Sequence, residues 1–261
     1  MNNELEQKRN KLFVVLAGIF LTNAIVAELI GVKIFSGEQA IGLQPAHLSI
    51  LGFSMDFNLT AGAVIWPVVF ITSDLINEYF GKPGVKRISY LAAAFIAYSF
   101  LVIYLTMKLP PAGVWMEANS HDNDGHYFNM DFAFNKILGQ GQRIIVASLA
   151  AFLLGQLVDV FVFQKLRRIT GSKMLWLRAT GSTLVSQFID SFVVLYLAFS
   201  GMYSNQQLAA FGITAYLYKF TVAILLTPLI YGGHYLIDKY LGKENAEKLS
   251  EESAHQSGSF F

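Results

Sequence analysis

The stretch ITSDLINEYFGK, residues 71–82, ends a strongly apolar run with Asp74, Asn77 and Glu78. On a helix, Asp74 and Glu78 stand at i and i+4 and Asn77 at i+3 from Asp74, so all three share one face. That face is either an acceptor wall for a cationic or N–H-rich ligand, or a protonatable relay, because burial and like charge favour the protonated form of neighbouring carboxyls. A plainer reading lets Glu78 reach water and pair with Lys82, one turn on. Asp190 is the sharper case. It lies inside STLVSQFIDSFVVLYL with Gln187 and Ser186 on adjoining faces, and a carboxylate at that depth requires a lysine, an arginine, a ligand or a proton. Gln156 and Asp159 repeat the spacing of Gln187 and Asp190; they are the same device or a structural tie to Arg178. Lys219 neutralises Asp190, faces a pocket or snorkels to the interface. Trp66 and Phe70, one turn apart, can stack on a planar ligand or simply pack.

These side chains sit in segments built for lipid. The 261 residues are 54% hydrophobic and only 14% charged, against about 25% charged in soluble domains. A net charge of +1 argues against nucleic acid as a partner, and the absence of cysteine removes disulfides and thiolate metal sites. The first apolar run is too long for a cleavable signal peptide. A spanning helix needs about 20 apolar residues, which predicts six, over about 12–34, 60–80, 88–108, 143–165, 178–200 and 213–236. Fourteen of the 19 Lys and Arg fall in 1–11, 81–87, 165–178 and 239–248. By the positive-inside rule both termini are then cytoplasmic. The expected organisation is one six-helix transmembrane domain over 1–240 and a polar, frayed cytoplasmic tail over 241–261.

Depth sorts the polar residues. At ~1.5 Å per residue, Asn23, Gln156, Gln187 and Asp190 fall near the midplane, Asp74, Glu78 and Asp159 towards the cytoplasm, and Glu28, Lys33, Arg143 and Lys219 towards the outside. Buried charge is costly in hydrocarbon, so a middle layer drawn from several helices predicts an internal polar site. Asn23, Trp66, Phe70, Gln156, Gln187, Asp190 and Lys219 are expected to bind substrate. Asp74, Glu78 and Asp159 are expected to serve a gate or proton relay, and Arg143 and Arg178 structural ion pairs.

Outside the spans, the alternation in LSILGFSMDF predicts a short hairpin over the mouth, and MDFAFNKIL an interfacial helix. His121, Asp122, Asp124 and His126 read as a solvated loop, since nothing local fixes a coordination geometry. His234 has no evident partner. There is no HExxH motif, and GSTLVS lacks the glycine of a nucleophile motif, which disfavours a membrane enzyme. The small residues of LAAAFIAYSF permit close helix contacts.

WPVVFITSDLINEYFGKPGVKR resembles the signature of the queuosine precursor transporter family, also called the VUT or vitamin uptake family. QRIIVASLAAFLLGQLVDVFVFQKLR, LWLRATGSTLVSQFIDSFVVLYLAF and YKFTVAILLTPLIY follow in the family's order, with a looser match at LTNAIVAELIGVKIF. Trp66 is a mild departure from the pattern, and the polar loop around 119–130 looks like an insertion. The resemblance implies an all-α polytopic inner-membrane carrier, not an enzyme and without a cofactor. Its fold would resemble the substrate-binding subunit of ECF-type vitamin transporters. It would import 7-cyano- or 7-aminomethyl-7-deazaguanine, the queuosine precursors, for tRNA modification. By the same resemblance Asn23, Asp74, Glu78, Arg143, Gln156, Asp159, Arg178, Gln187, Asp190 and Lys219 are the family-like polar positions. The alternative is a vitamin-binding S subunit working with a separate ECF energising module; a homodimer is a further possible assembly.

Overall fold

The computed structural model describes residues 3–121, 123–139, 142–170 and 174–256. In chain order the helices are α1 (Asn3–Ile30), the short α2 (Gly37–Ala40), α3 (Trp66–Thr106), α4 (Gly113–Ala118), α5 (Met130–Leu138), α6 (Gln142–Thr170), α7 (Leu175–Phe199), α8 (Asn205–Leu241) and α9 (Lys243–Gln256). Four three-residue strands, β1 (Ile34–Ser36), β2 (Leu48–Ile50), β3 (Phe53–Met55) and β4 (Asn58–Thr60), lie between α1 and α3. Among the described residues α1, α3, α6, α7 and α8 are long and apolar enough to cross a membrane, so the protein is a multi-pass membrane protein. Many large apolar side chains on them face outward, Val14, Tyr98, Leu105 and Leu225 among them, as a lipid-facing surface requires.

The sequence divides 60–108 into two spans, whereas the structure joins them in α3. A straight helix of its 41 residues would run ~60 Å, about twice the hydrocarbon thickness. α3 is not straight. Gly81 sits at φ 67°, ψ −171°, a conformation essentially restricted to glycine, and the helix breaks there. The hydroxyls of Ser73 and Ser89 lie 3.0 and 3.5 Å from the same Gln156 Oε1. A continuous helix would hold these two serines ~24 Å apart. The arms on either side of Gly81 therefore fold back on each other. Pro83 falls in the first turn of the second arm, where its missing N–H costs little.

The larger of two buried apolar clusters among the described residues joins α1, α3 and α6. Leu16, Phe20 and Ala24 of α1 pack with Val69, Ile76, Tyr79, Ile88 and Ile96 of both α3 arms, and with Phe152 and Val160 of α6. The expectation of a frayed tail fails over Lys243–Gln256. That segment is helical, and Ala246 and Leu249 are buried in the same core, because with the buried Ser253 they stand three and four positions apart on one face.

At the opposite end of α3, β1 pairs with β4 and β2 with β3, both antiparallel. The β2–β3 hairpin turns through Leu51 and Gly52, both at positive φ, as a tight two-residue turn demands. Glu38 anchors the strand layer. Its Oε1 accepts from Phe57 N at 2.8 Å and Ala46 N at 3.3 Å, and Ser36 Oγ donates to its Oε2 at 3.1 Å. These donors, the Phe57 amide foremost, hold its carboxyl below the ordinary value of 4.5. α5 forms where an interfacial helix was expected, capped by Asn129 and exposing Phe132 and Ile137.

Candidate functional site

A hollow of about 260 Å³ lies between α1, α3, α6, α7 and α8, just below the ~300–1,000 Å³ range of ligand pockets. It extends from Gly31, Thr60 and Ala63, beside the strand layer, to Asp74 and Ile230 deeper in the bundle. The first arm of α3 supplies Trp66, Phe70 and Asp74; α6 supplies Gln156; α7 supplies Gln187 and Asp190; and α8 supplies Lys219. These side chains converge because each stands on the inward face of an otherwise apolar helix, where polar groups are spared contact with lipid.

The aromatic wall is assembled in advance. Trp66 and Phe70 stack with ring centroids 5.7 Å apart and planes 19° from parallel, and Phe152 meets Trp66 at 5.5 Å. The polar groups are also oriented. Gln156 Oε1 takes the Ser73 and Ser89 hydroxyls, which leaves its amide N–H groups as the donors for the hollow. Lys219 Nζ donates to Asp190 Oδ2 at 2.5 Å, so of the partners open to Asp190 the structure supplies a lysine from α8. Among the described residues no donor reaches Asp74 Oδ1 or Gln187 Oε1, although both side chains are buried.

Other expected site residues stand elsewhere. Asn23 is not among the lining residues; its Nδ2 donates to Ile19 O at 2.8 Å within α1. Asp159 lies behind the hollow, where Ser186 Oγ donates to it at 3.2 Å. The side chain of Arg143 lies outside the described residues, as does Asp122 of the polar loop. Among the described residues no three His, Asp or Glu side chains gather as a metal site.

One turn below Asp74 the bundle is sealed. Arg178 Nη2 lies 3.0 and 3.1 Å from the two carboxylate oxygens of Glu78, and Arg167 Nη2 lies 3.4 Å from Oε1. Glu78 thus pairs with two arginines from α6 and α7, and not with Lys82. From α9, Ser250 Oγ donates to Glu78 Oε1 at 2.7 Å and Ser253 Oγ to the Glu78 carbonyl at 2.5 Å. Arg167 binds Ser253 Oγ at 2.8 Å, Ser250 Oγ at 2.6 Å and the Ser250 carbonyl. Beside this knot, Gln164 Nε2 donates to Asn77 Oδ1 at 2.6 Å. His234 also gains a partner: the Tyr79 hydroxyl lies 2.7 Å from its Nδ1 and itself donates to Asp238 at 3.0 Å.

Arg167, Gln164 and the two serines were missed from sequence. Arg167 counted only as an inside charge. The available signal was the polar stripe Gln156, Asp159, Gln164 and Arg167, which runs down α6 at intervals of three to five residues.

Residues 60–233 match a family model described as "Putative vitamin uptake transporter". Over 196 residues the chain is 33% identical to a "Probable queuosine precursor transporter" of Bacillus subtilis (strain 168), covering 74% of this chain and 80% of that protein. It is 29% identical over 188 residues to the "Queuosine precursor transporter" of Escherichia coli (strain K12), covering 71% and 75% respectively. A "Probable queuosine precursor transporter" of Haemophilus influenzae is 29% identical over 193 residues, covering 71% of this chain and 73% of that protein. No solved structure matches the chain.

Proposed function

The chain belongs to the queuosine precursor transporter family, also described as the vitamin uptake transporter family, and on that premise we propose that it carries 7-cyano- or 7-aminomethyl-7-deazaguanine into the cell. It is a transporter and not an enzyme. The single observation that carries the substrate reading is the convergence of Trp66, Phe70, Gln156, Gln187, Asp190 and Lys219 on one hollow. A flat bicyclic base needs this combination: an aromatic wall for its face and fixed polar groups for its edge. Gln156 offers N–H groups to the ring carbonyl, and the Asp190–Lys219 pair lines the side near α8. Asn23 has no part in this reading.

The two arms of α3 count as separate passes, giving six, with both termini in the cytoplasm of an inner-membrane protein. In that orientation the hollow lies on the outer side, and the Glu78–Arg178–Arg167 knot with α9 closes the inner side. Import then requires the knot to open beneath a bound base, with Asp159 between the site and the gate as the relay and Asp74 at the deep end of the hollow. Buried ion pairs suit this role, because their desolvation cost nearly balances their attraction and both closed and open states stay accessible.

The test is uptake of labelled 7-cyano-7-deazaguanine by cells that lack their own importer. The chain should restore uptake alone, and Asp190→Asn with Gln187→Ala should abolish it. Uptake only when an ECF energising module is supplied would instead favour the S-subunit reading. Wild-type rates in the double variant would remove the site.

A further inference from the structure

We propose that Asp74 and Gln187 read the donor edge of the base, its ring N–H and the adjacent exocyclic amino group, and so decide which heterocycles enter. This rests on the hollow being the base site. The polar groups that line the hollow differ in what already satisfies them. Asp190 is held by Lys219. Thr180 shares a hydrogen bond with Thr227 at 2.8 Å, Ser186 donates to Asp159, and Ser148 donates to Glu28 at 2.7 Å. Gln156 spends its carbonyl on two serines. Of the lining side chains, Asp74 and Gln187 are the two that carry a fully buried acceptor with no donor among the described residues. They are 3% and 4% exposed, and Asp74 Oδ1 and Gln187 Oε1 have no donor among the described residues.

Buried acceptors left without donors carry a desolvation penalty, so native structures rarely keep them without a reason. Two such acceptors from different helices, α3 and α7, line one hollow whose neighbouring Gln156 offers donors. The set is complementary to a guanine-type edge, in which a carbonyl acceptor stands beside two donors. An adenine-type edge reverses that order, with an amino donor beside an unprotonated ring nitrogen, and sets acceptor against acceptor. Asp74 therefore belongs to substrate selection, and the gate begins one turn further on, at Glu78.

The experiment titrates purified protein in lipid nanodiscs with two ligands, 7-cyano-7-deazaguanine and the same ring lacking the 2-amino group. Wild type should bind the second at least about tenfold more weakly, as expected of a site whose acceptors lose their donor. Asp74→Asn should weaken binding of the first and bring the ratio towards one, with melting temperature checked in parallel. Gln187→Met, which removes the acceptor at similar volume, carries the same expectation if Asp74→Asn does not fold. Equal wild-type affinities, or an unchanged ratio in the folded variants, would overturn the edge reading while leaving the base site standing. Failure of wild type to bind either ring would overturn both.

Discussion

Arg178 and Glu78, one hundred residues apart in sequence, meet with Nη2 at 3.0 and 3.1 Å from the two carboxylate oxygens, and both side chains are almost wholly buried. The contact joins α7 to the first arm of α3 just below the hollow. Glu78 is also the counter-charge for Arg167. Glu78→Gln should therefore destabilise the protein by about 3–5 kcal/mol, because it strands two buried guanidinium groups. Thermal unfolding in detergent measures this. A change within experimental error would show that the knot is not closed in the resting protein.

The turn between the arms of α3 depends on one residue. Gly81→Ala should cost about 1–3 kcal/mol from its backbone conformation alone, and the added methyl would also lie 3.0 Å from the Ser253 carbonyl. Proteolysis within α9 should become faster in the variant as the tail helix loosens. Wild-type stability and protection would contradict the reversal at this position.

Asp190 and Lys219 are about a quarter exposed, so their attraction is partly screened by water. A double-mutant cycle with Asp190→Asn and Lys219→Met should give a coupling of about 0.5–3 kcal/mol in unfolding free energy. Strict additivity would mean the two do not pair in the folded protein.

The strand layer should loosen in acid. The Glu38 carboxyl is held below its ordinary value, chiefly by the Phe57 amide, so the folded state favours its ionised form. That contribution is complete above the unfolded value and is lost as pH falls through the depressed folded one. Hydrogen exchange at the Phe57 and Ala46 amides, corrected for intrinsic rates, should lose protection as pH falls below the carboxyl's ordinary value of 4.5. Glu38→Gln should remove this pH dependence, and its persistence in the variant would assign it to another group.

Much of the bundle could be read from sequence because long apolar runs bounded by basic residues leave few alternatives. The break between 60–80 and 88–108 was legible too, and α3 turns there; what the sequence did not show is that a single glycine replaces the loop that normally separates two spans. Depth along a helix placed Asn23 beside Gln156 and Gln187, but depth says nothing about rotation. Each residue turns a helix by ~100°, and Asn23 points away from a face that its neighbour Ala24 buries. The polar knot around Glu78 was harder still. Ser250 and Ser253 find Glu78 across more than 170 residues, and no local period records such a pairing. Asp190 showed the opposite: its burial called for a lysine, an arginine, a ligand or a proton, and Lys219 was already among the candidates.

The central claim is that a flat heterocycle lies against Trp66 between the amide and acid side chains of the hollow. With Trp115→Phe and Trp176→Phe, Trp66 is the remaining indole of the three in the chain, and its fluorescence reports the site directly. Titration with 7-cyano-7-deazaguanine should change that emission saturably, and adding Asp190→Asn and Gln187→Ala should abolish the response. Saturable binding with Trp66 emission unchanged, or an undiminished response in the added double variant, would contradict the account.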